Sequence, residues 1–311
     1  MESTTSQPST AAFPLGGVDA LPPAEIARKA EAIGETKARM GPGTVFVLAV
    51  LAGAFIALGA IFSTTAATGG GELPYGVVRL LAGLTFSLGL MLVVVAGAEL
   101  FTGNNLIVMA WASRRIPTTR LLANWGIVYA GNLVGAITTA ALMYATRQYT
   151  FGGGEVGKTA LTIATTKVGY GFFQAVALGI LCNALVCLAV WLTYGARTVT
   201  DKIVAVLPPI AAFVAAGFEH SVANMYFVPY GLFVKHDAAW VASTSSLPDT
   251  SALTWRAFFV DNLLPVTIGN VIGGALLVGA VYWFVYLRPS RAIDDQDRRS
   301  RFHSSPGART S

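Results

Sequence analysis

The sequence predicts an all-α membrane protein with six transmembrane helices, arranged as two inverted three-helix repeats in which helices 2 and 5 are broken. Three observations lead to this prediction. Hydrophobic residues make up 54% of the 311 residues and charged residues only 12%, a balance typical of membrane proteins. Six predominantly apolar runs are each long enough to cross a hydrocarbon core of about 30 Å. Two pairs of polar motifs recur in the same order in the two halves of the chain.

Changes in composition divide the chain into four parts: a disordered N-terminal segment (residues 1–21), a cytoplasmic amphipathic helix (22–40), a six-span membrane domain (41–288) and a cytoplasmic basic tail (289–311). The first part is rich in Ser, Thr and Pro, as disordered segments are. The second places Ile26, Ala30 and Ile33 on one helical face with charged residues around it. We therefore expect this helix to lie along the membrane surface.

The six apolar runs cover residues 44–66, 80–112, 121–146, 168–194, 203–234 and 263–287. The second and fifth exceed 30 residues, and a straight helix of that length, at about 1.5 Å per residue, would overshoot the hydrocarbon core. A glutamate interrupts each of them near its middle, Glu99 in one and Glu219 in the other. We therefore expect both helices to be broken inside the membrane, as they are in transporters where irregular backbone lines a cavity.

Lys and Arg are distributed unevenly over the segments that connect the runs. The segments on the side of the two termini carry fifteen of these residues, and the segments on the opposite side carry six. Because basic loops resist translocation, both termini are predicted to be cytoplasmic, with the protein in the cell (inner or plasma) membrane. The same asymmetry explains the net charge of +5, and no basic and aromatic surface for nucleic acid is evident.

The first pair of repeated motifs lies at the two predicted breaks. The stretches are "GAELFTGNN" and "GFEHSVANM", and each has an Asn five residues after its glutamate. Glu99 thus goes with Asn104, and Glu219 goes with Asn224. All four residues are predicted to be structural groups at the helix breaks.

The second pair of motifs opens the third and sixth spans. "NWGIVYAGNLVGA" begins at Asn124 and "NLLPVTIGNVIGGA" at Asn262, and each has Gly-Asn seven residues on. Each half has three spans, an odd number, so the second half starts on the opposite side of the membrane from the first. The two related halves must therefore have opposite orientations in the membrane. Such inverted repeats are typical of channels and secondary transporters, which place their site near the midplane where the broken helices meet.

The ionisable residues within the spans need a role, because each costs about 2.5 to 3.5 kcal/mol at the membrane centre on insertion scales. Glu99 and Glu219 are equivalent in the repeat. We expect each carboxylate to accept hydrogen bonds from amides freed by the break or from a neighbouring Asn. His220 has Leu100 as its counterpart and is the only histidine within a span. Since the proton of histidine moves near neutral pH, His220 is the main functional candidate.

Other residues near the breaks have two possible roles each. Thr102 offers a hydroxyl that either serves the site or bonds its own helix turn. Lys167, at the start of the fourth span, could attract anions. Phe86, Leu90 and Phe213 either face lipid or pack within the protein, or they form a pair of hydrophobic constrictions on either side of a polar midpoint.

Few residues point to metal or enzyme chemistry. The spacing of Cys182 and Cys187 matches neither a redox pair nor a zinc pair, so both are expected to be small core residues. No HExxH or GxSxG motif accompanies the three histidines. We predict no cofactor, no metal and no enzymatic activity. An intramembrane enzyme using Glu219 and His220 is the remote alternative.

The quoted motifs, together with "FSLGL", "LVCLAVWLTYGARTVTDK" and "DNLLPVTIGNVIGG", give the chain a resemblance to a known family. The sequence resembles the formate/nitrite transporter family over about residues 22–288, and within it the formate channel branch. The resemblance implies an aquaporin-like fold in a homopentamer, embedded in membrane lipid, with one pore in each protomer. It also implies transport of small monovalent anions of weak acids.

The resemblance assigns roles to individual residues. It implies that His220 is the central pore histidine, that Thr102 is its partner, and that Lys167 and Asn183 are tied to the same pore centre. It further implies that Phe86, Leu90 and Phe213 form the constrictions.

These expectations combine into a predicted function, the bidirectional and pH-dependent transport of formate. His220 would protonate or stabilise the anion between the constrictions. A nitrite or hydrosulfide channel of the same family is the alternative, because "GNN" after Thr102 differs from the Ser/Thr-rich continuation of some formate channels. A water or glycerol facilitator of the same fold would be expected to carry paired Asn-Pro-Ala motifs, and the sequence has none.

Overall fold

A computed structural model describes residues 20–288, and all regular structure within them is helical. The predicted basic tail and all but the end of the predicted disordered N-terminal segment lie outside the described residues. The helices used below are α1 (Pro23–Arg39), α2 (Pro42–Ala67), α3 (Tyr75–Ala96), α4 (Phe101–Asn104), α5 (Val108–Ala112), α6 (Thr118–Ala145), α7 (Glu155–Val168), α8 (Phe172–Gly195), α9 (Val199–Ala216), α10 (Ser221–Lys235), α11 (Ala238–Ser243) and α12 (Ala257–Leu287).

Six of these helices are long and apolar enough to cross a membrane: α2, α3, α6, α8, α9 and α12. The predicted all-α architecture with six membrane helices is therefore confirmed for the described residues. The last of them, α12, mixes α-helical turns with π-helical turns and begins six residues before the predicted sixth run.

The second and fifth apolar runs each consist of separate helical segments. Helix α3 ends at Ala96, and helix α4 begins only at Phe101. In the second half α9 ends at Ala216, and α10 begins at Ser221. The residue after each first segment is a glycine in the left-handed region, with φ of 83° at Gly97 and 78° at Gly217. Glycine adopts this conformation without the steric penalty that a Cβ atom brings, so it ends a helix where the chain must turn.

The structure corrects the predicted fourth span. The prediction began this span at residue 168 and placed Lys167 at its start. Lys167 instead lies in the last turn of the separate helix α7, and residues 169–171 precede α8. Helix α7 was missed because its apolar residues occupy only one face, which packs within the protein and includes Ala160, Leu161 and Ala164.

The N-terminal helix α1 packs against the protein through its apolar face. Ile26, Ala27 and Ala30 are buried in a cluster with residues of α5 and α8. On the same helix the buried Glu31 forms an ion pair with Arg115, whose Nε lies 2.8 Å from Oε2. Helix α1 is thus held to the inner parts of the fold by both apolar and charged contacts.

The Gly-Asn motifs of the repeat bring helices into close contact. A Cβ atom on Gly135 of α6 would lie 2.0 Å from the carbonyl oxygen of Val50 in α2. A Cβ atom on Gly273 of α12 would lie 2.1 Å from the carbonyl oxygen of Ile180 in α8. Only glycine allows these two helix pairs to approach so closely, as small residues do in membrane helix packing.

We expect Gly135→Ala to lower the thermal unfolding midpoint in detergent, because the added methyl group forces α2 and α6 apart at a cost of about 1 to 3 kcal/mol. Gly126→Ala on the same helix is the matched control. A Cβ atom there would have no neighbour within 4 Å, so this variant should be at least as stable as the parent. Equal midpoints for the two variants would contradict the proposed close contact.

Candidate functional site

A cavity of about 550 Å³ leads from the protein surface to His220. It reaches the surface at Tyr75, which is 76% exposed, and its inner end is lined by Phe86, Phe213 and Phe227. Its charged lining residues are Arg79, Glu155, Lys158, Lys167 and Glu219. We call this cavity the vestibule.

His220 lies in the break between α9 and α10 and is hydrogen-bonded through both ring nitrogens. Its Nδ1 accepts the backbone N–H of Ala223 at 3.0 Å and so caps the N-terminus of α10. Its Nε2 lies 2.8 Å from Oγ1 of Thr102 on α4. Because a backbone amide can only donate, Nδ1 carries no proton in this arrangement, and a neutral ring carries its proton on Nε2. Nε2–H therefore donates to Thr102, whose own hydroxyl hydrogen remains available to another acceptor.

Aromatic rings cover His220 on the vestibule side. Phe213 stacks on the imidazole with ring centroids 5.9 Å apart, and Phe86 meets Phe213 edge-on at 5.7 Å. Phe227 stacks against Phe86 at 6.4 Å. Phe86, Leu90 and Phe213 are all at least 97% buried, so each is packed within the protein and none faces lipid.

The structure brings together only part of the predicted constrictions. Phe86 and Phe213 contact each other and form a single apolar layer, so these two do not lie on opposite sides of His220. Leu90 lies one turn beyond Phe86 on α3, inside the core and away from the vestibule lining.

Glu219 is neutralised by a lysine and held by two asparagines. Its Oε1 lies 2.9 Å from Nζ of Lys167, and its Oε2 accepts Nδ2 of Asn224 at 2.7 Å. Asn224 also donates to Oδ1 of Asn262 at 2.9 Å, and Asn262 donates to the carbonyl of Lys167 at 2.7 Å. The four residues join α7, the break, α10 and α12 in one network.

The first half of the chain contains the same network. Glu99 Oε1 lies 2.9 Å from Nζ of Lys37, and its Oε2 accepts Nδ2 of Asn104 at 2.7 Å. Asn104 donates to Oδ1 of Asn124 at 3.0 Å, and Asn124 donates to the carbonyl of Lys37 at 3.4 Å. Lys37 lies on α1 and Lys167 lies on α7, so α1 is the counterpart of α7 in the first half of the chain.

Two further asparagines bridge the broken backbone. Asn132 donates to the carbonyl of Glu99 at 2.9 Å and accepts the amide of Phe101 at 2.9 Å. Asn270 donates to the carbonyl of Glu219 and accepts the amide of Ser221, both at 2.9 Å. In each break an asparagine side chain therefore takes one freed amide, that of Phe101 or Ser221, while the amides of Glu99 and Glu219 donate to the backbone carbonyls of Leu48 and Leu178. The two glutamates accept hydrogen bonds from the neighbouring Asn104 and Asn224, which is the second of the two arrangements expected for them.

The two networks differ at the lysine. Lys37 Nζ also donates to Oδ1 of Asn104 at 2.9 Å, whereas Oδ1 of the buried Asn224 has no hydrogen-bond partner among the described residues. Lys167 instead lies with its Nζ 5.2 Å from the ring centre of Phe227, at the wall of the vestibule. The second half therefore presents its lysine to the cavity.

Asn183 does not line the vestibule. Its Nδ2 lies 3.3 Å and 2.7 Å from the backbone carbonyls of Thr102 and Asn270 and 3.0 Å from Oδ1 of Asn105, so its two hydrogens are shared among three acceptors. This side chain fixes α4 against α12 and thereby holds Thr102 in place beside His220. Asn104 and Asn105, the two residues of "GNN" that differ from some formate channels, also point into these internal networks.

Sequence reasoning missed three contributors to the site: Lys37, Arg79 and Phe227. Lys37 had a visible signal, since Thr-Lys followed by Gly four residues after the lysine occurs at both Lys37 and Lys167. Arg79 and Phe227 had no comparable signal, because their positions depend on how α3 and α10 pack.

We expect Lys37→Met to destabilise the protein by about 3 to 5 kcal/mol, because it leaves the buried carboxylate of Glu99 without its cation. The double variant Lys37→Met/Glu99→Gln removes both charges and should recover most of the loss. Arg28→Met, at an exposed position of the same helix, is the control and should change stability by no more than about 0.5 kcal/mol. Thermal unfolding in detergent measures all three, and a single variant as stable as the control would contradict the structural role of this pair.

Comparisons with known proteins bear on this arrangement. A family model described as formate/nitrite transporter matches residues 24–284. The chain is 48% identical to the formate channel FocA of Escherichia coli (strain K12) over 273 residues, which cover 87% of this chain and 96% of that protein. It is 41% identical to the formate channel FocA of Haemophilus influenzae over 263 residues, which cover 84% and 93% of the two chains.

Solved structures agree with these relatives. A pentameric formate channel with formate bound superposes with a TM-score of 0.75 at 45% identity, covering 79% of this chain and 98% of that one. An ion channel of the FNT family superposes with a TM-score of 0.70 at 30% identity, covering 84% and 98%. The six membrane helices, the motifs at the two breaks and these similarities together show that the chain belongs to the formate/nitrite transporter family.

Proposed function

We propose that the protein is a channel that carries formate across the cell membrane in a pH-dependent manner, with His220 at its centre. The observation that carries this proposal is the position of His220, buried at the inner end of a vestibule and hydrogen-bonded to Thr102. The relatives named above support the substrate, since both are formate channels.

The proposed architecture is an aquaporin-like pair of inverted repeats in a homopentamer, with cytoplasmic termini. The equivalent networks around Glu99 and Glu219 support the repeat, because every member of one has a counterpart in the other. The pentameric structure of a 45% identical formate channel supports the assembly. The excess of Lys and Arg on the side of the termini supports the orientation.

The hydrogen bonds of His220 set limits on how it handles protons. In the resting arrangement the neutral ring donates Nε2–H to Thr102, and the Thr102 hydroxyl can donate in turn to a formate oxygen. A second proton on the ring must enter at Nδ1, which is occupied by the amide of Ala223. Proton transfer from His220 to formate therefore requires the cap of α10 to open first. This requirement ties protonation of the pore histidine to a local movement of the helix break.

The aromatic layer explains why a proton is useful. Phe86 and Phe213 close the inner end of the vestibule with apolar surface, and moving a carboxylate across such a layer costs much more than moving a neutral acid. Formate that has gained a proton at this layer crosses as formic acid. Low pH on the vestibule side then favours inward movement of formate together with the proton.

We expect His220→Asn to reduce formate uptake into proteoliposomes by about tenfold or more, because formate without a proton donor must cross the apolar layer as an anion, at a cost of several kcal/mol. The remaining uptake should lose the pH dependence of the parent, because the side chain of Asn neither takes up nor releases a proton. Asn also provides an N-cap acceptor, so α10 should stay folded, whereas His220→Phe removes the cap as well. Unchanged uptake and pH dependence in both variants would show that His220 has no such role.

Nitrite and hydrosulfide are the alternative substrates of the same pore. The buried positions of Asn104 and Asn105 remove the sequence difference as an argument for them, because these side chains face the internal networks. Side-by-side uptake of formate, nitrite and hydrosulfide by the same proteoliposomes decides between them, and faster uptake of either alternative would overturn the assignment of formate.

A further inference from the structure

Arg79 lies on α3 at the wall of the vestibule, two turns before Phe86 on the same helix face. We propose that Arg79 is the residue whose charge draws the anion into the vestibule, and that it also positions the helix break that carries His220. This inference rests on the proposed transport of an anion and names a specificity-determining residue for it.

The charges of the vestibule lining leave Arg79 as the uncompensated cation. Lys158 pairs with Glu155 at 2.7 Å, and Lys167 pairs with Glu219 at 2.9 Å. Arg79 instead donates to backbone carbonyls, from Nε to Ala215 at 3.2 Å and from Nη2 to Val214. Helix carbonyls offer only a fraction of a negative charge, about half an elementary charge for a whole helix terminus. Within the described residues, one net positive charge therefore remains in the vestibule, and it is located at Arg79.

The hydrogen bonds of Arg79 also connect it to the break. Val214 and Ala215 belong to the last turn of α9, where carbonyls lack the amide four residues on, and the Val214 carbonyl also accepts the N–H of Gly217 at 3.1 Å. The Nη2 atom lies 3.5 Å from the place of a Cβ on Gly217, the first residue of the break. His220 follows three residues later. The guanidinium thus holds the end of α9 from which the chain turns toward the pore histidine.

The repeat gives an independent reason to regard Arg79 as functional. Counted back from the break glycine, Arg79 of the first half corresponds to Val199 of the second, since both stand eighteen residues before Gly97 or Gly217. Lys37, Glu99 and the asparagines of the networks all have polar counterparts, as structural groups of a duplicated fold do. Arg79 and His220 instead have apolar counterparts, Val199 and Leu100. Both Arg79 and His220 line the vestibule.

The test measures initial formate uptake into proteoliposomes with known channel orientation, as a function of formate concentration and of an impermeant salt. For Arg79→Gln we expect the formate concentration for half-maximal uptake to rise about tenfold, the low end of electrostatic focusing effects. Raising the salt from about 0.01 to 0.15 M shortens the screening length from about 30 to 8 Å, so uptake by the parent should fall and uptake by Arg79→Gln should change little.

Two further variants separate charge from structure. Arg79→Lys keeps the positive charge, so it should retain the half-saturation concentration and salt response of the parent. Its ammonium group lacks the planar pair of donors that lets the guanidinium bond both carbonyls, so its unfolding midpoint should fall. Arg147→Gln removes an exposed cation near the same end of the molecule that does not line the vestibule, and it should behave as the parent in transport.

Two results would overturn the inference while leaving the proposed function intact. One is formate uptake by Arg79→Gln with the half-saturation and salt response of the parent. The other is an Arg79→Lys variant whose half-saturation concentration and salt response match those of Arg79→Gln. That result would mean that the guanidinium acts only by holding the end of α9. Absence of formate uptake by the parent protein would instead overturn the proposed function and this inference with it.

Discussion

Breaking a helix in the interior of a membrane protein leaves backbone amides and carbonyls without partners, and the fold described here depends on supplying those partners. Asn132 and Asn270 do so, each accepting an amide on one side of a break and donating to a carbonyl on the other. An unsatisfied backbone group costs several kcal/mol where no water can reach it. These two side-chain amides hold the broken backbone, and with it the position of His220, together with the carbonyls of Leu48 and Leu178, which accept the N–H groups of Glu99 and Glu219.

Both halves satisfy the broken backbone with the same kinds of side chains, and the site lies where the side chains of the two halves differ. The lysine–glutamate and glutamate–asparagine contacts have the same lengths in both halves, 2.9 and 2.7 Å, whereas the contact from asparagine to the lysine carbonyl is 3.4 Å in the first half and 2.7 Å in the second. His220 replaces Leu100, and Lys167 turns toward the cavity where Lys37 completes its network. The two halves thus hold the same kinds of polar residues at their breaks, and the vestibule gains its chemistry from the few side chains that differ. The backbone beyond the breaks differs as well, since the four-residue α4 of the first half stands where the second half has the fifteen-residue α10.

The membrane helices could be predicted from the sequence because their cause is local: an apolar run long enough to span a bilayer. The repeated motifs likewise pointed to Glu99 and Glu219 as equivalent groups. Lys37 shares its Thr-Lys pattern with Lys167, but that pattern does not place it beside Glu99, because its helix has the charge pattern of a surface segment. Helix α7 and the shared layer of Phe86 and Phe213 depend on tertiary packing, which hydropathy does not reveal. Asn183 was associated with the pore centre through resemblance alone. In the structure its side chain contacts the backbone carbonyl of Thr102 and holds that residue in place.

The two hydrogen bonds of the His220 ring have a thermodynamic consequence. A side chain held at both nitrogens has already lost its rotational freedom when the protein folds. Immobilising a free side chain upon binding costs about 0.5 to 1.5 kcal/mol, and for this ring folding has already met that cost. The cap of α10 therefore serves both the stability of the helix and the fixed orientation of the imidazole. Opening the cap, as a second proton on the ring requires, gives up this order together with a hydrogen bond.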